Sequence, residues 1–124
     1  MSRVADILRD QGKLSDALAL YEHGLVLARR IHALVGDTAE TLRDESITLT
    51  KVGEIRMAKS EDDAALALFR ERLAVDGKYR VSVGDTPEAV RREERAKEYI
   101  DEIEQRRMNL GNRPTSTDSK ESDA

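Results

Sequence analysis

The chain has 124 residues, of which 39% are hydrophobic and 37% charged, with a net charge of −4 and only four aromatics: Tyr21, Phe69, Tyr79 and Tyr99. This composition suits one domain of amphipathic helices around an aliphatic core, and its acidity weighs against nucleic acid as a partner. There is no cysteine, no apolar run near the roughly 18–20 residues of a membrane span, and no apolar core of a signal peptide in Met1–Asp6, so disulfides, thiolate metal sites and a membrane partner are not expected and a cytoplasmic protein is.

The first predicted helix covers about residues 2–11. From 14 to 35, Leu14, Ala17, Leu18, Tyr21, Leu25, Ala28 and Ile31 recur at steps of three and four, which marks one inward-facing stripe of a long helix. Gly36 stops it, because a left-handed residue is least costly for glycine. Thr38 then suits an N-cap for a helix over 39–59 that turns Leu42, Leu49, Val52 and Ile55 inward. After a turn, Ser60 is expected to cap a helix over 61–82, with Glu61, Asp62 and Asp63 placing negative charge at its positive end. Thr86 and Pro87 open the last helix, 87–108, proline being favoured at the first helical position. Of the 22 residues from Glu88 to Asn109, 13 are charged, so this helix cannot be covered on both sides and reads as a solvating cap. The helical domain therefore spans 1–110. Residues 111–124 have little to bury and are expected to be a disordered polar tail.

A shift of 48 residues brings two blocks into register. Ala17-Leu18-Ala19-Leu20-Tyr21 falls on Ala65-Leu66-Ala67-Leu68-Phe69, and Val35-Gly36-Asp37-Thr38 falls on Val83-Gly84-Asp85-Thr86. From Val4 to Ile55 the shift gives 16 identities in 52 pairs, where composition alone gives about three or four. Within each unit, Ala5, Gly12, Ala17, Tyr21, Gly24 and Leu25 follow a spacing of small residue, turn glycine, alanine, aromatic, small residue and leucine. Leu49, Val52, Gly53, Ala65, Leu66, Phe69 and Leu73 follow it in the second. This pattern resembles the tetratricopeptide-repeat family, over about residues 4–103, in a long-repeat variant of the kind found in bacterial multi-repeat proteins. The resemblance implies an all-α, right-handed stack of antiparallel helical hairpins, with units over about 4–36 and 39–84. The period of 48 departs from the family's usual 34, and Arg72 stands where a small residue is expected.

Catalytic constellations are not found. His23 and His32, nine positions apart on one helix, stand about 13 Å apart, too far to share a metal, and are read as partly exposed surface histidines. The repeated Gly-Asp-Thr segments are inter-helix turns by position. The basic pairs Arg29-Arg30, Arg91-Arg92 and Arg106-Arg107 are interrupted by acids and are read as solvated faces, with intrahelical pairs such as Glu93–Lys97 and Glu102–Arg106. No metal, no cofactor and no enzymatic activity are expected.

The expected function is thus a protein- or peptide-binding scaffold. The resemblance places its binding surface on the concave face, carried here by Asp6, Arg9, Thr50, Glu54, Met57, Glu98 and Glu102. The acidic bias of that set favours a partner with a basic segment and an apolar anchor near Met57. The family's clamp for chaperone C-terminal carboxylates is not expected, since Asp6 and Glu54 occupy places where asparagine is needed. The alternative is a self-association element, a homo-oligomer joined through the edge of the short first helix, or an accessory segment of a larger bacterial signalling protein.

Overall fold

The structure, a computed structural model, describes residues 2–111. They form α1 (Ser2–Asp10), α2 (Leu14–Val35), α3 (Ala39–Ala58), α4 (Asp62–Val83) and α5 (Pro87–Gly111), with no strand among the described residues. Each helix packs on its neighbours in the chain, most extensively α3 on α4. The fold is all-α, and no described helix is long and apolar enough to cross a membrane. The helix α5 runs on to Gly111, and the expected tail beyond it, 112–124, lies outside the described residues.

The helix ends follow local chemistry. Thr38 caps α3 by accepting from the Thr41 backbone N–H at 3.1 Å, while the Thr41 hydroxyl accepts from the Thr38 N–H in return. Thr86 accepts from the Ala89 N–H in the same way at the start of α5. Ser60 behaves differently from expectation. It does not cap α4; Glu61 holds that position, without a side-chain capping bond. Instead Ser60 has φ 61° and its N–H donates to the Met57 carbonyl, while the Glu61 N–H donates to Arg56. The turn therefore closes α3 through a left-handed residue. Gly12, 48 residues earlier, makes the same turn at φ 79°, with its N–H on Arg9 and that of Lys13 on Leu8. A serine there carries a strain that glycine lacks. Ser60→Gly is accordingly expected to stabilise the fold by about 0.5–1 kcal/mol after the added chain entropy of glycine is counted. A urea titration showing no gain would mean that the turn relaxes without strain.

One core cluster joins Ala5, Ala17, Leu18, Tyr21 and Leu25 to Leu42, Leu49, Val52, Ile55, Val75, Tyr79 and Ala89. A second holds Ala65, Leu66, Phe69, Tyr99 and Ile103. In it Phe69 and Tyr99 stack face to face at 4.2 Å. The helix α5 buries a single stripe, Ala89, Ala96, Tyr99 and Ile103, and leaves most of its charged residues in water.

The other end is covered less than its repeat equivalent, and one expectation fails there. Val4 and Ile7 match Val52 and Ile55 in the repeat, yet they are 56% and 52% exposed while Val52 and Ile55 are buried. The latter pair belongs to the cluster shared with α2, whereas no described helix covers the corresponding face of α1. Ile31, expected in the core, is 52% exposed, and Ala28 is only half-buried.

Candidate functional site

The residues expected on the concave face are largely engaged within the chain. Asp6 accepts from the Tyr21 hydroxyl and from Lys51 Nζ at 2.9 Å, with Arg9 within 3.9 Å. These partners, Tyr21 foremost and then Lys51, hold its carboxyl below the usual carboxylate range. Burial and the Asp6 carboxylate push the Tyr21 hydroxyl up in turn. Glu54 accepts from the Tyr99 hydroxyl at 2.5 Å, and burial first, then Glu54, pushes that hydroxyl up as well. The two arrangements are repeat equivalents. Lys51 and Tyr99 lie 48 apart, as do Asp6 and Glu54, and Lys51 lies 5.4 Å from the centre of the Tyr21 ring where Tyr99 stacks on Phe69. Met57 packs against the second core cluster, Glu98 pairs with Arg95 at 3.1 Å, and Glu102 is exposed.

Thr50 and Glu54 share a shallow concavity of about 230 Å³ with Lys51, Arg72 and Arg92, so cations gather around them as well as acids. Beneath it lies a polar network that sequence periodicity did not reveal. Arg72, only 7% exposed, donates to Asp76 at 3.0 Å, to the Thr50 hydroxyl at 2.9 Å and to the Arg92 carbonyl at 3.3 Å. The Ser46 hydroxyl donates to the other oxygen of Asp76 at 2.7 Å. Burial pushes the Asp76 carboxyl up, against the opposing pull of Ser46 and Arg72. Arg72 thus replaces the expected small residue by filling the junction of α3, α4 and α5 with satisfied hydrogen bonds.

The same junction in the first unit is open. Gly24 and Ala28 stand 48 residues before Arg72 and Asp76, and Ile31 stands 48 before Tyr79. A groove of about 380 Å³ runs there between α2 and α3, with Gly24 and Ala28 in its floor and Leu20, Leu27, Ile31 and Ile47 along it. In the second unit the N-terminal half of α3 covers this place: Arg43 reaches Tyr79, Ser46 reaches Asp76, and Thr50 meets Arg72. The nine residues of α1 align with 50–58 of α3, and among the described residues no segment corresponding to 39–49 lies on α2. The signal was present in the sequence, as Gly24 and Ala28 against Arg72 and Asp76, but it has meaning only beside the structure of the other unit.

Charged residues on the remaining faces pair between helices more than within them. Glu93 pairs with Arg80 at 3.0 Å rather than with Lys97, and Arg106 reaches Asp62 at 2.7 Å rather than Glu102. Arg107 pairs with Asp63 at 3.1 Å and Arg29 with Glu71 at 2.6 Å. Asp62 and Asp63 therefore anchor the end of α5 besides opening α4.

His32 belongs to a repeated ionic triad. Its two ring nitrogens contact Asp37 and Glu45, each at 2.5 Å, and Arg80 binds the equivalent Asp85 and Glu93 at 2.7 and 3.0 Å. The bond to Asp37 chiefly, then Glu45, raises the imidazole pKa against the opposing effect of burial, and His32 in turn lowers that of Asp37. A histidine raised in the folded state contributes stability that is whole below its unfolded pKa and is lost as pH rises through the folded one. Asp37 acts oppositely, its contribution vanishing as pH falls through its own lowered value. Stability is therefore expected to decline from mildly acid to alkaline pH. His32→Arg, which copies Arg80, is expected to flatten that decline. Thermal melts with identical pH slopes for both chains would show that the triad does not couple to folding.

No protein-family model matches the chain, and neither does any curated protein or solved structure.

Proposed function

We propose that this chain is a non-enzymatic protein-interaction module, and that its contact surface is the apolar groove between α2 and α3. The architecture behind this reading is a right-handed stack of antiparallel hairpins of the tetratricopeptide kind. The pairs Arg43–Tyr79, Ser46–Asp76 and Thr50–Arg72 support it, since residue numbers rise along α3 as they fall along α4. The recurrence of contacts at the 48-residue period supports stacking.

One observation carries the functional reading. A surface that the second unit covers with a helix is left open in the first, and it is lined by large apolar side chains. The groove thus takes a helical segment of a protein chain in the seat that α3 fills on α4. None of the seven residues first expected to bind, Asp6, Arg9, Thr50, Glu54, Met57, Glu98 and Glu102, lines this groove, and several of them serve internal contacts.

A direct test uses a fluorescent peptide made from residues 38–49, stapled into a helix, with Arg43→Leu and Ser46→Leu. These changes fit the segment to Ile31 and Ala28 in place of Tyr79 and Asp76. Saturable binding is expected, weakened at least tenfold by Gly24→Leu, whose side chain fills the groove floor; Cβ addition there meets nothing closer than Thr48 Cγ2 at 3.9 Å, so the helix tolerates it. Absence of binding to the parent chain, or equal binding to the variant, overturns the reading.

A further inference from the structure

Resting on the reading of the groove as a helix seat, we infer that its occupant is α2 of a second copy of this chain, the two copies pairing about a two-fold axis across their grooves. Three observations converge on this occupant.

The first is chemical. Where α3 presents Arg43 and Ser46 to α4, the seat on α2 presents Ile31 and Ala28, so its occupant needs large apolar side chains at helical spacing in place of polar ones. The second is the supply of such a helix. Ten large apolar residues are exposed among the described ones, and five of them, Val26, Leu27, Ile31, Leu34 and Val35, fall in the last ten residues of α2. Leu27, Ile31 and Leu34 are spaced i, i+4 and i+7, which makes one ridge. Gly24 and Ala28, a turn apart in the groove floor, let a neighbouring helix approach closely. The third is direction. A two-fold axis passing between the paired α2 helices, perpendicular to them, makes them run in opposite senses, which is the sense in which α3 lies along α4.

The other end of the chain does not supply the occupant. On α5 the positions matching Arg43, Ser46 and Thr50 are Arg91, Glu94 and Glu98, all exposed. Docking them would bring Arg91, Glu94 and Glu98, the last already paired with Arg95, against the apolar Leu27 and Ile31 at a desolvation cost, so a head-to-tail array is disfavoured and the closed pair remains.

The test is sedimentation equilibrium on the full chain over a range of concentrations. A concentration-dependent dimer is expected. Ile31→Glu is expected to weaken it at least tenfold at unchanged helicity, because Ile31 is on the surface, while Met108→Glu, which changes an exposed apolar residue far from the groove, leaves it intact. Mixing Ile31→Glu with Ile31→Lys is expected to restore a dimer that neither forms alone, as an α2–α2 contact requires. A chain that stays monomeric throughout, a dimer indifferent to Ile31→Glu, or a mixture that fails to recover overturns this inference. The peptide experiment stands apart from it: a monomer that binds the stapled peptide in a Gly24-dependent way keeps the groove as a helix seat and removes only the second copy.

Discussion

Replacing Arg72 by alanine is expected to destabilise the fold by about 3–5 kcal/mol, the cost of leaving one partner of a buried ion pair alone. Asp76 has no exposed surface, and its other hydrogen-bond partner is the Ser46 hydroxyl. Without the guanidinium its carboxylate must stay charged in a poorly solvated site or take up a proton. Its pKa already lies above the usual range through burial, and losing Arg72 moves it further the same way. For a carboxylate raised in the folded state, stability falls as pH rises from the unfolded pKa toward the folded one. The damage done by Arg72→Ala is therefore expected to be smaller in acid than at neutral pH. Replacing the pair together, Arg72→Met with Asp76→Leu, is expected to come back to within about 1–2 kcal/mol of the parent, since apolar groups of similar volume remove the desolvation cost along with the attraction. Urea titrations at two pH values check all three variants. A single-variant loss below about 1 kcal/mol would mean that water reaches Asp76 and the pair is not the closed network described.

Phe69→Ala is expected to cost a similar amount, about 3–5 kcal/mol, through lost burial and the cavity left behind. The ring is fully buried, lies flat on Tyr99 at 4.2 Å, and covers Gly53 so closely that an added Cβ would stand 2.7 Å from Phe69 Cζ. The glycine is therefore required by packing rather than by backbone conformation. Gly53→Ala gains about 1 kcal/mol in helix propensity but must displace a ring held on its far side, at an expected net loss of about 1–2 kcal/mol. In a Phe69→Leu background the clash is removed, and the same substitution is expected to become neutral or stabilising. That non-additivity is the signature of direct contact. Gly77→Ala provides the contrast: its Cβ meets nothing nearer than Glu93 at 3.9 Å, so only the propensity gain of up to about 1 kcal/mol remains. Additive effects of the Gly53 and Phe69 changes would show that the ring has room to move.

The helices were legible because their ends are set locally. Gly36 and Gly84 take positive φ, Thr38 and Thr86 cap the helices that follow, and Pro87 opens α5, each within a few residues of its cause. The exception, Ser60, shows the limit of the same reasoning. A serine between two helices can start the second or end the first, and the choice falls to the Gly12-like turn that the repeat imposes. The candidate site was less legible. The resemblance named Asp6, Thr50 and Glu54 as one surface, but the partners that engage them, Tyr21, Lys51, Arg72 and Tyr99, come from other helices.

By itself, then, the sequence determined an all-helical chain, its turns, its 48-residue period and the apolar stripe of each helix. Those properties depend on φ/ψ preferences and on contacts three or four residues apart. Only the tertiary structure decided which parts of a stripe are covered. Periodicity shows that Val4, Ile7, Ala28 and Ile31 lie on apolar faces, but burial needs a second helix at that place, and α1 is nine residues long where α3 has twenty. For the same reason Arg72 and Asp76, which look like surface charges in a helical repeat, are interior: α3 and α5 close over them and supply the hydrogen bonds that make burial tolerable.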